Sequence, residues 1–294
     1  MITLSNGFQL EHMTASGALG YDGKGWPWEW PLRLAGLIDP SLFANVMKTV
    51  TLRPKKGNLR WLHPWTCVRP MQGGAVNAVG LTNPGIDWWT EKVGPKVDSK
   101  KVPLVGSIYC EQVAGLTLMA RIMNDFGLVA LELNASCPNT NGDLLSNTDL
   151  VVRSAEAVRT VSRHPLLVKL SVVHDAKTIV PRLKGIAEAL AINSVPWRIV
   201  FPGCKSPFAK KGGGGVSGRI AQPFTWPFAL ELQSMTDIPV IAPSIWDFGD
   251  IAKLRAEGFK AFSFGSVFLC HPWFPTHCAR KDRKENRNEC AQNH

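Results

Sequence analysis

The sequence predicts an α/β fold, specifically a (β/α)8 TIM barrel, on three observations. Short apolar runs alternate with longer stretches of helical periodicity. The runs number eight. The length of 294 residues, with 45% hydrophobic, is ample for one barrel domain.

The strand-like runs fall near residues 13–17, 45–50, 102–108, 128–134, 166–171, 188–194, 238–242 and 260–265. Helical patterns are clearest over 111–126, 149–163, 177–186 and 247–257, with a further helix expected over Pro223–Met235. Thr148-Asp149 and Asp247 are expected N-caps, because short polar side chains accept the unpaired N–H groups of a first turn. Gly127 and Gly258 are expected stops. The barrel is expected over residues 1–278. The segment 279–294 is polar, charged and without apolar periodicity, and is expected to be a disordered tail.

Two stretches interrupt the alternation. Trp26-Pro27-Trp28-Glu29-Trp30-Pro31 reads as a packed connection after the first strand, with an aromatic ligand platform as the alternative. Cys204 to Gly215 contains Lys210-Lys211 and four consecutive glycines, so it is expected to be mobile and able to fold over the site as a lid.

The formal net charge is +10. Lys48, Arg53, Lys55, Lys56 and Arg60 occur without an intervening acid, as do Arg198, Lys205, Lys210, Lys211 and Arg219. Such surfaces steer small anions, and no appended nucleic-acid-binding domain is visible. No run of about 18 apolar residues appears. The start does not read as a signal peptide. The seven scattered cysteines include no Cys-x-x-Cys pair, which suits reduced thiols and a cytoplasmic setting. Cys270, His271, His277, Cys278 and Cys290 fit no compact zinc spacing, and no metal is expected.

The most informative segment is Leu131-Glu132-Leu133-Asn134-Ala135-Ser136-Cys137-Pro138-Asn139-Thr140. An apolar strand ends in a turn presenting two amides and a thiol, and the carboxyl end of a buried strand is where barrel enzymes place their chemistry. This segment resembles the substrate loop of the dihydroorotate dehydrogenases, in which a cysteine (class 1) or serine (class 2) is the catalytic base. Further segments resemble the family in register. They are Met13–Gly17, Met47–Leu52 running on to Lys56-Gly57-Asn58, Val76–Gly85, Val168-Lys169-Leu170 and Gly214–Gly218. The class 2 N-terminal extension has no counterpart before Met13.

The resemblance implies FMN as cofactor, dihydroorotate and orotate as anionic ligands, and a class 1-like homodimer. It makes Cys137 the general base and places Lys48 beside the flavin ring and substrate. Asn77, Asn134, Asn139 and Asn193, with Ser194 and the Gly80-Leu81 backbone, would hold the substrate. Ala15, Ser16, Gly17, Lys48, Thr49, Asn134 and Lys169 would hold the flavin. Ser217, Gly218, Ser244, Gly265 and Ser266 would hold its phosphate. A free thiol ionises near pH 8.5, so a base at Cys137 needs cations nearby.

One departure stands out. The family carries a Gly-Gly pair after strand seven, where this chain has Ala242-Pro243-Ser244-Ile245. Pro243 has no N–H to donate, and Ser244 could substitute its hydroxyl and N–H. The departure leaves other readings open. One is a flavin oxidoreductase for another dihydropyrimidine or an enone, and another is a non-catalytic flavin- or ligand-binding protein on the same scaffold. Dihydrouridine synthases also combine a flavin barrel with a cysteine, but the asparagine set fits orotate better.

Overall fold

The computed structural model describes residues 1–136 and 147–292. Eight parallel strands organise it. In chain order they are β1 (His12–Thr14), β2 (Asn45–Val46), β3 (Leu104–Tyr109), β4 (Ala130–Asn134), β5 (Leu166–Leu170), β6 (Ala189–Ile192), β7 (Ala242–Ile245) and β8 (Phe262–Phe264). Strands β2 to β6 pair in sequence order, and β7, β8 and β1 form a second parallel sheet. Isolated parallel bridges, Met13 to Ala44 and Leu190 to Val240, join the two. The result is a curled parallel α/β sheet.

Side chains alternate along each strand, and the two faces carry different chemistry. Leu104, Ile108, Leu131, Leu133, Leu166, Val168 and Leu170 belong to the large apolar cluster shared with the helices. Val105, Ala130, Leu167 and Ala189 point the other way, into a second cluster with Met13, Val46 and Ile241. That cluster lies at the amino ends of the strands. The antiparallel pair Ile2–Thr3 and Gln9–Leu10 covers it with Ile2, Leu4 and Leu10. One layer nearer the carboxyl ends, the same inward face carries Ser107, Glu132 and Lys169, all buried. The interior is therefore dry and apolar at one end and polar at the other.

Helices follow the strands at Val113–Met123, Thr148–Val161, Gln222–Met235 and Phe248–Ala256. Asp247 caps the last through a reciprocal capping box with Asp250, as its sequence position implied. The cap at 148 falls one residue earlier: Asn147 accepts from the Leu150 N–H at 3.0 Å. The pattern over 177–186 gives only Ala176–Ile179 and then a 3-10 turn, Val180–Leu183, because Pro181 cannot donate to a continuing α-helix. The expected strand over 45–50 is broken after Val46. There Lys48 donates its N–H to Gly20 O at 2.8 Å and Thr49 to Ser16 Oγ at 3.2 Å, which takes the backbone off the sheet. Only Val50–Thr51 rejoins β3.

A four-stranded antiparallel sheet sits beyond the carboxyl ends, in the order Val195–Pro196, Gly215–Gly218, Gly74–Asn77, Val68–Met71. It has its own small core of Val76, Ala78, Phe208 and Val216. The glycine-rich run leading into it is anchored: Gly213 N–H donates to Phe208 O at 3.1 Å, and Lys211 Nζ donates to Thr66 O.

The stretch expected to be a disordered tail is instead helical, within Phe274–Gln292. Its polar residues find buried partners that no local pattern reveals. Asp282 accepts from His12 Nε2 at 2.9 Å and from Arg255 Nη2 through both carboxylate oxygens, at 2.8 and 2.7 Å. Asn286 donates to Glu11 at 3.0 Å and Arg283 to Leu42 O at 2.9 Å. Burial alone would raise the Asp282 pKa, but the hydrogen bond from His12 and the charge of Arg255 outweigh it and hold the group below its ordinary value. Its stabilising contribution is therefore complete above the unfolded carboxylate value of about 4 and is lost as pH falls through the lower folded value. Asp282→Ala is expected to lower the unfolding free energy at pH 7 by about 3 kcal/mol in urea titrations. The gap from the parent should narrow below about pH 4 as the parent loses the same interaction. A pH-independent gap would show that packing, and not the ion pair, is what Asp282 supplies.

Candidate active site

The polar layer on the inward face is one connected network. Glu132, 1% exposed, accepts from Lys169 Nζ and from Ser107 Oγ, each at 2.7 Å. Ser107 Oγ lies 2.8 Å from Thr49 Oγ1, which lies 2.9 Å from Ser16 Oγ. Thr49 Oγ1 also accepts from Asn134 Nδ2 at 3.0 Å. Asn134 Oδ1 in turn receives the Ser136 N–H at 3.3 Å and hydroxyl at 3.0 Å, and Ser136 O accepts from Asn193 Nδ2 at 2.8 Å. The network thus crosses the mouth from β5 to the end of β6. It gathers Ser16, Thr49, Asn134, Lys169 and Asn193 from five separate segments. Cys137 and Asn139 lie outside the described residues.

Glu132 and Ser107 had no assigned role in the sequence reading. The signal was present for Glu132: it lies two residues before Asn134 and must share its face of the strand. Ser107 gave none, since a lone serine in an apolar strand is usually a satisfied filler.

Ala15, Ser16 and Gly17 run between the ends of β8 and β2. Ala15 N–H donates to Phe264 O at 2.7 Å and Gly17 N–H to Val46 O at 3.1 Å. Gly17 has φ +78°, and a Cβ there would stand 3.2 Å from Lys48 Cβ, so the residue at 17 directly limits the room for Lys48. Lys48 is half-buried. Its charge and that of Lys211 act on the buried Cys67 thiol, whose pKa is raised by burial and only partly restored by these cations.

The antiparallel sheet brings Asn77 and Ser194 together through glycines. A Cβ on Gly215 would meet Ser194 Oγ at 2.3 Å, and one on Gly214 would meet Asn77 O at 2.6 Å. Gly80 (φ +66°) and Leu81 (φ +55°) form a separate left-handed turn, braced by Asn58 Nδ2 donating to Ala78 O at 2.9 Å. Leu81 holds a conformation that L-residues with bulky side chains avoid.

The remaining predicted residues lie at β7, β8 and the strand Gly215–Gly218. Gly218 (φ +95°) packs so closely that a Cβ would lie 2.7 Å from Gly73 O, Gly74 Cα and the Trp246 ring. Ser217 Oγ donates to Ala75 O at 3.4 Å. Ser244 adopts φ +59°, the left-handed conformation that glycine takes without strain, and β7 is irregular there. Its Oγ lies 3.1 Å from Thr225 Oγ1, whose single hydrogen also has Ala221 O within reach at 3.2 Å, so either hydroxyl can donate across this contact. Gly265 lies against Ala15, whose Cβ would be 3.3 Å from a Cβ at 265. Ser266 Oγ is buried and has no hydrogen-bond partner among the described residues. A buried hydroxyl without a partner is costly unless a ligand satisfies it.

Fold and site together define an α/β protein whose polar centre lies at the carboxyl ends of parallel strands. A dihydroorotate dehydrogenase family model matches residues 33–244. The catalytic subunit of dihydroorotate dehydrogenase B (NAD(+)) from Desulforudis audaxviator is 31% identical over 268 residues, which is 88% of this chain and 83% of that protein. The counterpart from Malacoplasma penetrans is 29% identical over 279 residues, covering 91% and 86%. The crystal structure of ligand-free DHODH from Eimeria tenella superposes with a TM-score of 0.65 at 18% identity, over 85% of this chain and 78% of that one. This chain belongs to the dihydroorotate dehydrogenase family.

The buried ion pair gives a direct test. Lys169→Met leaves the Glu132 carboxylate buried with Ser107 as its partner among the described residues, and is expected to cost about 3–5 kcal/mol of stability in denaturant titrations. Lys169→Met combined with Glu132→Leu removes both charges and should recover most of that loss. Equal losses in the single and double variants would mean the pair is not coupled.

Proposed function

We propose that this protein oxidises dihydroorotate to orotate with FMN, and that Cys137 is the general base. The observation that carries the proposal is the network at the mouth. It holds Asn134, Lys169 and Asn193 on one polar surface above a dry interior, in a chain of this family.

The residues fit a flavin phosphate at the ends of β7 and β8. Ser266 offers a buried hydroxyl that lacks a partner among the described residues, and Ser244 places a second hydroxyl at the end of β7. Ser217 lies in the same strand as Gly218. Ala15, Ser16, Gly17, Thr49, Asn134 and Lys169 would hold the ring and ribityl chain. FMN, when bound, accepts a hydride at its N5.

This chain's own groups do the rest. The Cys137 thiolate takes the proton from the carbon adjacent to the one that loses hydride. Lys48 supplies positive charge beside the reacting groups and favours the thiolate. Asn77, Asn134, Asn139 and Asn193, with Ser194, offer both donors and acceptors to a pyrimidine, and the Gly80-Leu81 turn presents backbone N–H groups to the carboxylate. We further infer that the parallel strands close into a complete (β/α)8 barrel, supported by the two bridges that join the sheets. The reading also includes a single domain, a cytoplasmic homodimer and no resident metal.

The purified protein is expected to be yellow and to bleach when dihydroorotate is added without oxygen. Cys137→Ala should keep the flavin spectrum and slow that bleaching by about 10²–10⁴-fold, the usual scale for a general base. Unchanged kinetics in the variant would remove Cys137 from the mechanism. Ser244→Ala should weaken FMN binding roughly tenfold to a hundredfold in fluorescence titrations of apoprotein, one charge-assisted hydrogen bond's worth. Equal dissociation constants would show that the β7 loop does not touch the phosphate.

A further inference from the structure

Beside the mouth lies a surface that the proposed reaction does not use. Besides the Lys48 assigned to the site, residues 40–86 contain Arg53, Lys55, Lys56, Arg60 and Arg69, and no aspartate or glutamate. Within this stretch runs Arg60-Trp61-Leu62-His63-Pro64-Trp65, and its apolar side chains face outward: Trp61 is 51% exposed, Leu62 84% and Trp65 64%. Trp61 lies 5.3 Å from the Trp26 ring, which stacks on Trp28 at 5.4 Å and 7°. Trp28 is itself 61% exposed. The aromatic surface is therefore continuous across two distant segments of sequence. Trp26 Nε1 donates to Gly17 O at 3.1 Å, which fixes this surface to the edge of the candidate active site.

Exposed tryptophan and leucine are costly in water, and large contiguous apolar patches on a protein surface mark interaction sites. The charge narrows the choice of partner. A two-fold contact with a second copy would set Lys56 and Arg60 against the same cations, since such an interface pairs a patch with itself. Protein–protein interfaces are depleted in lysine. Tryptophan at headgroup level, leucine below it and lysine or arginine around them is the composition that holds proteins on anionic bilayers. Lys211, bonded to Thr66 O, and the exposed Lys205 and Lys210 extend the positive rim. Glu29, the acid inside the tryptophan segment, is buried, and burial pushes its pKa up to about 7.

We propose that the Trp28, Trp61, Leu62 and Trp65 surface, rimmed by Lys56 and Arg60, docks on the headgroup region of an anionic phospholipid bilayer. The protein lies on the membrane and does not cross it; no described helix is long and apolar enough to span one. Docking sets the mouth of the active site next to the lipid.

The test is co-sedimentation of the full-length protein with vesicles of phosphatidylcholine alone or mixed with phosphatidylglycerol. Binding is expected only with phosphatidylglycerol, weakening as salt rises. Leu62→Asp and the pair Lys56→Glu/Arg60→Glu should each reduce partitioning about tenfold or more. Circular dichroism of each variant confirms that it is folded, and quenching of tryptophan fluorescence by brominated lipid in the parent reports insertion directly. No sedimentation with anionic vesicles, or equal sedimentation of parent and folded variants, overturns the proposal. So does ultracentrifugation in which Leu62→Asp converts a dimer to monomers, which would make the surface a self-interface.

Discussion

The carboxylate of Glu132 inside the curled sheet constrains everything around it. A charge that deep is tolerated only with a counter-charge and with its remaining lone pairs satisfied. Lys169 supplies the first and Ser107 contributes to the second. Ser107 then orients Thr49, and Thr49 orients Asn134 and Ser16. One buried acid thus fixes the rotamers of groups from β3, β4, β5 and the segments after β1 and β2. The apolar layer beneath, closed by the Ile2–Leu10 segment, excludes water from one side, so these dipoles act in a low dielectric.

The antiparallel sheet and the β7 turn build their part of the site by backbone and not by side chains. Gly214, Gly215 and Gly218 are pinned because Asn77, Ser194, Gly73 and Trp246 occupy the space a Cβ would take. Ser244 meets the same conformational demand with a side chain, at φ +59°. Its neighbours support the strained turn: Thr225 bonds its hydroxyl, Gln222 its carbonyl, and Trp226 the carbonyl of Pro243. All three come from the helix Gln222–Met235, so that helix replaces the freedom two glycines would provide.

Much of this was legible in the sequence. Short, nearly continuous apolar runs with intervening helical patterns determined the α/β class, because burial on both faces of a parallel strand leaves that signature. The Asp247 cap, the amides at the strand ends and the positive patches were visible because each depends on residues close in sequence. Only the tertiary structure decided which side chains meet. Asp282 reads as one more charge in a polar tail, yet it joins His12 and Arg255 across the whole chain and makes that tail a packed helix. Glu132 reads as a charge in an apolar strand until Lys169 and Ser107 arrive from neighbouring strands. Trp26, Trp28 and Trp61 form one surface only because two connections pack together. Local pattern carries propensity and facing, whereas partner choice for a buried or protruding side chain is set by contacts far apart in sequence, and only the folded chain brings those into range.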